Sequence, residues 1–198
     1  MRARSRWDQP RNEPNSCLSS RNGPVKRGMG LLVDLDLTLI DSQFAQPLRK
    51  ARRWPQVYDV IPRFTAYDGV SELLAELISR DIPVCVVTSS PQPYCRRVLD
   101  HFKWTGVQTV CYYDTKRHKP DPAPIILGLE KLGIKASQAI SVGDDPKDTA
   151  AAKAARVYSV GALWGALDKD ALVNSGPDAL CQTVGELKKL IFSRFSLR

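Results

Sequence analysis

The run from Leu31 to Leu39 places two aspartates, Asp34 and Asp36, at the end of an otherwise apolar segment. Alternate side chains of a strand point to the same side, so both carboxylates would enter one small space. Two close carboxylates repel each other, and one would hold a proton unless a cation lies nearby. With a divalent cation present, one carboxylate can act as a nucleophile and the other can move protons. A strand followed by an Asx turn is the alternative interpretation of this run.

Further polar groups lie downstream, and two of them also follow strand-like runs. The apolar run 82–87 ends in Thr88, and the run 139–142 is followed by an acidic triplet, with a lone lysine, Lys119, between the two runs. In an open α/β sheet, ligands bind just beyond the carboxyl ends of the strands. We therefore expect the carboxylate pair, the hydroxyl, the lysine and the triplet to converge on one crevice. The acidic triplet consists of Asp144, Asp145 and Asp148.

Taken in order, these groups resemble the four motifs of the haloacid dehalogenase-like (HAD) phosphohydrolases. The family's first motif, Asp-x-Asp-x-Thr, is matched by Asp34, Asp36 and Thr38. The second motif, a hydroxyl at a strand end, is matched by Thr88, and the third, a lysine, by Lys119. The fourth, Gly-Asp with a further acid downstream, is matched by Asp144, Asp145 and Asp148. The resemblance extends over roughly residues 29–192. Leu37 is a departure, because the family often has glycine at that position.

The resemblance implies roles for Asp34 and Asp36 of the first motif and for the residues of the second and third motifs. Asp34 would attack phosphorus in line and form an aspartyl phosphate. Asp36 would protonate the leaving oxygen and then deprotonate the water that hydrolyses the intermediate. Thr88 and the backbone N–H of Ser89 would hold phosphoryl oxygens, while Lys119 would neutralise charge there and keep Asp34 ionised. Without the other motifs, Lys119 would be interpreted as a solvated surface lysine.

Mg²⁺ is the metal that the resemblance implies, since it is a hard ion that prefers oxygen ligands and keeps several waters. Its protein ligands would be Asp34, Asp144 and the backbone carbonyl of Asp36. Asp145 and Asp148 compete for the remaining role, either as a direct ligand or as a partner of the ligands. The alternative is that the acidic triplet only caps the following helix.

The hydrophobic pattern predicts strands that alternate with helices, and hence an α/β, Rossmann-like parallel sheet with helices on both faces. A helix is predicted after Gly69, where apolar residues recur with helical spacing up to Ile78. Further helices are predicted at 92–103, 120–132, 149–155 and 184–191, and further strands at 82–88, 107–112, 138–142 and 157–160.

Positive charge is concentrated in two segments of this chain, whose total net charge is +8. Residues 1–28 carry +5, lack apolar periodicity and are predicted to be a disordered tail. Residues 29–192 are predicted to form the catalytic domain, and residues 193–198 a C-terminal tail. Within the domain, residues 42–66 carry +4 and are too few for a large cap domain. We expect them to form a minimal cap of one helix and an extended return, and call them the cap segment.

The cap segment interleaves cations with Trp54 and Tyr58, which would suit a polyanion such as nucleic acid. The alternative is a solvated basic face with Trp54 packed on the core. The stretch 161–180 resembles the end of phosphoglycolate-phosphatase-like members, which favours a phosphorylated small molecule over a nucleic-acid end or a phosphoprotein. Weak nucleic-acid contact through the tail and cap segment is a further expectation.

Composition limits the other function classes. A chain of 198 residues that is 43% hydrophobic can form one domain with a sizeable core, and it lacks an apolar stretch of transmembrane length. Its five cysteines are odd in number and lack metal-ligand spacing, which predicts reduced thiols and a cytoplasmic location. A non-catalytic phosphate- or nucleic-acid-binding protein is the alternative function, but the presence of both Asp36 and Lys119 argues against it. The sequence leaves the oligomeric state open.

Overall fold

The computed structural model of the protein describes residues 28–196. Its strands are Gly30–Val33 (β1), Ile40–Asp41 (β2), Thr65–Ala66 (β3), Val84–Val87 (β4), Gln108–Val110 (β5), Ala139–Gly143 (β6), Tyr158–Ala162 (β7) and Ala179–Cys181 (β8). Its α-helices are Gln46–Lys50 (α1), Trp54–Val60 (α2), Val70–Ser79 (α3), Gln92–His101 (α4), Ala123–Leu132 (α5), Pro146–Ala154 (α6), Lys169–Asn174 (α7) and Val184–Arg194 (α8).

Six of the strands in the described residues form one parallel sheet in the order β5-β4-β1-β6-β7-β8. β1 lies in the middle, between β4 and β6, so the residues after these three strands meet at one edge of the sheet. The crossovers on either side of β1 create the crevice in which open α/β sheets bind ligands. The predicted α/β, Rossmann-like sheet is confirmed.

Alternate side chains of β1 pack into cores on the two opposite faces of the sheet. Leu31 and Val33 belong to a core cluster with residues of α3, α4 and α8, while Leu32 points to the other face and packs with residues of α5 and α6. All three side chains are at most 2% exposed. A strand buried on both faces reads as a continuous apolar run, as this one does.

Several elements begin or end at residues that differ from the prediction. α5 begins at Ala123 rather than Pro120, and the Asp121 side chain accepts the backbone N–H of Ala123 at 2.9 Å. α6 begins earlier than predicted, at Pro146, since a preceding aspartate caps it. α8 extends beyond its predicted end to Arg194. The short elements α7 and β8 were not predicted at all.

The cap segment contains two short helices, α1 and α2, rather than the single helix predicted. Arg52 has φ +54° between them, a left-handed conformation that stops α1. Val57 and Ile61 are buried in the main core cluster, so the segment packs on the sheet domain. β2 and β3 pair in antiparallel fashion at the base of the segment and hold its two ends together.

Among the described residues, no helix has both the length and the apolar character needed to cross a membrane. The four cysteines in this part of the chain are buried and unpaired, which agrees with the predicted thiols: Cys85, Cys95, Cys111 and Cys181. The fifth, Cys17, and nearly all of the predicted N-terminal tail lie outside the described residues.

Candidate active site

A cavity of about 370 Å³ opens beyond the carboxyl ends of β1, β4 and β6. Its floor is lined by the predicted site residues, and its walls come from the cap segment and from the connection between β5 and α5. The structure thus brings the four polar groups of the sequence into one space. The residues of the four motifs that line it are Asp34, Asp36, Thr88, Ser89, Lys119, Asp144, Asp145 and Asp148.

Lys119 joins two carboxylates on the floor of the cavity. Its Nζ lies 2.5 Å from Asp34 Oδ1 and 2.6 Å from Asp148 Oδ1, and it also donates to the carbonyl oxygen of Val87 at 2.9 Å. The lysine side chain is 6% exposed. Burial alone would lower the pKa of Lys119, but the charges of Asp148 and Asp34 outweigh it and raise this pKa. Lys119 is therefore a fixed cation beside Asp34.

Three carboxylates form what we call the carboxylate cluster: Asp34, Asp144 and Asp148. One oxygen from each lies within 4.8 Å of the others. Burial raises the pKa of Asp34, and Lys119 offsets this rise only in part. Burial and the charges of Asp34 and Asp148 raise the pKa of Asp144 to about 9, although Thr38 donates a hydrogen bond to it at 2.7 Å. The cluster has more negative charge than Lys119 can neutralise, and its hard oxygen donors fit Mg²⁺.

The acidic triplet divides between two tasks. Asp148 faces the cluster, whereas Asp145 is exposed and caps α6 by accepting the backbone N–H of Lys147 at 2.9 Å. Asp148 also accepts the backbone N–H of Asp145 at 3.2 Å, which completes a capping box. The sequence left open which of the two acids contacts the metal, and this geometry favours Asp148.

Gly143 makes room for Asp148. A Cβ built on Gly143 would lie 2.3 Å from the Cβ and the carboxylate of Asp148. Any side chain at this position would therefore displace Asp148 from Lys119. The Gly-Asp pair of the fourth motif thus has a packing reason as well as a chemical one.

Four donors hold the carboxylate of Asp36. Arg49 on α1 lies 2.7 Å from Oδ1. Ser42 and Tyr94 donate to the same oxygen at 2.7 and 2.6 Å, and Ser90 donates to Oδ2 at 2.9 Å. Two of these donors belong to the cap segment and two follow β4. Asp36 is consequently fixed in orientation from both walls of the cavity.

Thr88 and Ser89 lie at the end of β4, as predicted. Thr88 is buried, and its Oγ1 accepts the backbone N–H of Ser90 at 3.1 Å, which fixes the turn after the strand. Ser89 is exposed at the cavity. The hydroxyl hydrogen of Thr88 stays available to donate, because the hydrogen bond that Oγ1 makes to Ser90 uses only a lone pair.

The loop after β1 is held in an unusual conformation. Leu37 has φ +66°, in the region that favours glycine, which explains why glycine is frequent at this position in the family that the motifs resemble. Trp164 donates to the carbonyl oxygen of Thr38 at 3.0 Å. A Cβ on Gly165 would lie 1.6 Å from the carbonyl oxygen of Leu37, so the loop packs directly on this glycine. Distant parts of the chain thus stabilise the loop that carries Asp36.

Sequence reasoning missed the partners of Asp36: Ser42, Arg49, Ser90 and Tyr94. Arg49 was seen only as one of several cap-segment cations, and nothing in its local sequence distinguishes it. Trp54 lines the cavity and also packs against Tyr94, with ring centroids 5.8 Å apart. Tyr58 does not line the cavity; Arg97 lies over its ring at 4.7 Å.

Comparison with known proteins identifies the family. The model of the haloacid dehalogenase-like hydrolases matches residues 49–162. Phosphoglycolate phosphatase of Escherichia coli O157:H7 is 30% identical over 188 residues, which cover 82% of this chain and 74% of that enzyme. The chain belongs to the haloacid dehalogenase-like hydrolase family.

Other relatives are matched over a smaller part of their length. Phosphoglycolate phosphatase of Pectobacterium atrosepticum is 34% identical over 134 residues, which cover 64% of this chain and 55% of that enzyme. A 35% identical protein of Caldanaerobacter subterraneus is likewise matched over 57% of its length. The chain therefore spans little more than half of these two relatives.

Solved structures support the same fold. A hydrolase from Pseudomonas syringae has a TM-score of 0.69 at 20% identity, covering 82% of this chain and 99% of that one. A HAD-superfamily hydrolase of subfamily IA from Geobacter sulfurreducens has a TM-score of 0.64 at 18% identity, covering 83% and 96%. At these identities the likeness concerns the fold alone.

Proposed function

We propose that the protein is a Mg²⁺-dependent phosphomonoesterase that works through an aspartyl phosphate on Asp34. The observation that carries the proposal is the position of Lys119, which contacts Asp34 and Asp148 at 2.5 and 2.6 Å on the floor of an open cavity. A nucleophilic carboxylate, a fixed cation and a cluster that attracts a metal are the parts that phosphoryl transfer requires.

In the first step, an oxygen of Asp34 attacks phosphorus and the bond to the leaving oxygen breaks. Asp36, two residues along the same loop, gives a proton to that oxygen. Thr88 and the N–H of Ser89 bind phosphoryl oxygens, while Lys119 neutralises the charge that builds up on them. The product of this step is the leaving alcohol and a phosphoryl group on Asp34.

In the second step, water attacks the phosphoryl group and Asp36 accepts its proton. The bond between phosphorus and Asp34 breaks, so inorganic phosphate leaves and both aspartates return to their starting forms. The three hydrogen bonds and the ion pair on Asp36 hold its carboxylate in place for this role.

Asp34, Asp144 and the backbone carbonyl of Asp36 would hold Mg²⁺, with Asp148 beside them and Asp145 outside the cluster. The ion would supply positive charge that draws the phosphoryl group towards Asp34 and stabilises charge in the transition state. The raised pKa values of Asp34 and Asp144 support this assignment, because they result from burying several carboxylates without a matching charge.

A phosphorylated small molecule is the substrate class we favour. The relatives named phosphoglycolate phosphatase support it. The cavity volume of about 370 Å³ also supports it, since it falls within the range of roughly 300–1,000 Å³ that is usual for small-molecule sites.

Hydrolysis of p-nitrophenyl phosphate with Mg²⁺, with EDTA and with the Asp34→Asn variant tests the proposal. We expect activity that requires both the metal and Asp34. Activity that persists in Asp34→Asn would overturn the assigned nucleophile. If the wild type were inactive and beryllofluoride, an acyl-phosphate mimic, also failed to bind at Asp34, the catalytic proposal itself would fail.

A further inference from the structure

The mouth of the cavity carries aromatic and cationic side chains that the proposed hydrolysis does not use. Tyr112 and Tyr113 stand on the β5–α5 side, and Lys50 and Arg52 stand opposite them on the cap segment. Lys147 lines a third side. We propose that these residues, which we call the rim, bind the leaving group of the substrate, and that this leaving group is a nucleoside. The proposal rests on the phosphatase function proposed above.

Tyr112 is held in place as part of the wall. Its ring stacks on His118, with centroids 3.9 Å apart and an interplanar angle of 19°. The guanidinium of Arg52 lies 6.0 Å from the centroid of the same ring, so the cap segment and the β5–α5 connection approach each other across the mouth. This arrangement gives His118, which the hydrolysis does not need, a structural role.

Tyr113 exposes most of its ring to solvent. It is 78% exposed, the highest value among the exposed large apolar residues of the described chain, although it lines the cavity. Its ring stands at 86° to that of Tyr112, with centroids 5.0 Å apart. The two rings at nearly a right angle form a corner into which a planar base can stack.

The charge of the rim favours a nucleoside that carries further phosphate groups. Within the described residues, Lys50, Arg52 and Lys147 make no ion pair. Asp145, an exposed carboxylate that also lines the cavity, accepts the backbone N–H of Lys147 and caps α6. Three cations around an aromatic corner suit a nucleotide, whose base can stack and whose further phosphates can pair with the cations. Phosphoglycolate would leave the ring of Tyr113 without a partner.

The decisive comparison is between adenosine 5′-monophosphate and ribose 5-phosphate, because the two differ only in the base. We expect kcat/KM to be roughly tenfold to hundredfold higher for the nucleotide, which corresponds to the energy of one stacked base. Tyr113→Ala should lower the ratio of the two kcat/KM values about tenfold, and Tyr113→Phe should restore it. Val173→Ala, which removes an exposed apolar side chain from α7, is the matched control and should keep the ratio.

A 5′-phosphorylated dinucleotide distinguishes free nucleotides from nucleic-acid ends. Faster hydrolysis of the dinucleotide than of the mononucleotide, with a strong salt dependence, would assign the rim to nucleic-acid ends. Slower hydrolysis of the dinucleotide than of the mononucleotide would assign the rim to free nucleotides. Equal kcat/KM for adenosine 5′-monophosphate and ribose 5-phosphate, with p-nitrophenyl phosphate still hydrolysed, would overturn the rim proposal and leave the phosphatase intact.

Binding provides a readout that does not depend on turnover. In Asp34→Asn, isothermal titration should give tighter binding of adenosine 5′-monophosphate than of ribose 5-phosphate, and the ratio of the two affinities should fall about tenfold when Tyr113→Ala is added. Equal affinities in Asp34→Asn would contradict the rim proposal even if no substrate were hydrolysed.

Discussion

Arg49 on α1 lies 2.7 Å from Asp36 at the end of β1, so the cap segment contacts the proposed acid–base residue directly. Arg49 also donates to the carbonyl oxygen of Ser42 at 3.1 Å. Its side chain is 11% exposed. A segment that only shielded the cavity would not need this buried ion pair, whose loss would leave Asp36 without its charged partner.

Arg49→Met should lower kcat about 100-fold while changing KM little. Arg49 is expected to orient Asp36 rather than bind the transferred phosphoryl group, and misplacing a catalytic group by about 1 Å costs a factor of this size. Arg49→Lys should recover part of the activity. Steady-state kinetics with p-nitrophenyl phosphate measures the effect, and Arg53→Met, an exposed arginine outside the cavity lining, is the control. A pure rise in KM would instead indicate that Arg49 binds the substrate.

Asp148→Asn and Asp145→Asn should differ in the Mg²⁺ concentration that they need for activity. Asp148 contacts Lys119 at 2.6 Å and belongs to the carboxylate cluster, so its neutralisation should raise the Mg²⁺ concentration needed for half-maximal activity at least tenfold. Asp145 caps α6 and lies outside the carboxylate cluster, and asparagine caps a helix about as well as aspartate does, so its variant should keep both its Mg²⁺ requirement and its stability. Metal titrations measure the Mg²⁺ requirement of both variants, and thermal melts measure their stability. A larger metal defect in Asp145→Asn would reverse the assignment.

Gly143→Ala should inactivate the protein by displacing Asp148. The new methyl group would fall 2.3 Å from the Asp148 side chain, and a backbone or side-chain shift must follow. We expect a loss of activity of more than tenfold together with a lower melting temperature. Gly185→Ala is the matched control, since its nearest neighbour would lie at 3.7 Å, an ordinary contact. Normal activity in Gly143→Ala would mean that Asp148 can move without consequence.

Mg²⁺ affinity should increase with pH. The pKa of Asp144, about 9 in the folded metal-free protein against an ordinary value of 3.8, means that Asp144 holds a proton at neutral pH that the metal must displace. Because the pKa of Asp144 is raised in the folded protein, the metal-free protein should lose stability as the pH rises from 3.8 to about 9. Mg²⁺ should restore this stability. Isothermal titration in buffers of different ionisation enthalpy, from about pH 6 to about pH 9, measures affinity and proton release together. An affinity that is independent of pH, with no proton released, would contradict this.

The sequence alone was sufficient for all strands of the parallel sheet except β8, and for the members of the site that follow strands. Asp34, Thr88 and Asp144 each end a buried apolar run, and the parallel sheet brings such positions together. α7 and β8 escaped prediction because three- to six-residue elements have too few residues for a periodic signal, and β8 is fixed by pairing with β7. Ser42 and Arg49 were not predicted as partners of Asp36 because their contacts depend on how the cap segment folds back over the sheet. Ser90 and Tyr94 were not predicted because only the pairing of β4 with β1 brings them to Asp36.

Tyr113 illustrates the same limit. Its neighbours in the sequence describe a strand end and a turn, and only the packed structure brings it to the mouth of the cavity, opposite Arg52. The cap segment's aromatic residues were the expected stacking platform, yet Tyr58 packs away from the cavity under Arg97. Which rings face a cavity is decided by tertiary packing, which residue spacing does not encode.

Trapping the phosphorylated protein tests most directly whether Asp34 is the nucleophile. Wild-type protein mixed with excess p-nitrophenyl phosphate and Mg²⁺ is quenched in acid within one turnover, digested and examined by mass spectrometry. We expect one phosphoryl group on Asp34, labile to hydroxylamine, and none in Asp34→Asn. Turnover with no phosphoryl group on Asp34, or with the group on another residue, would contradict this expectation.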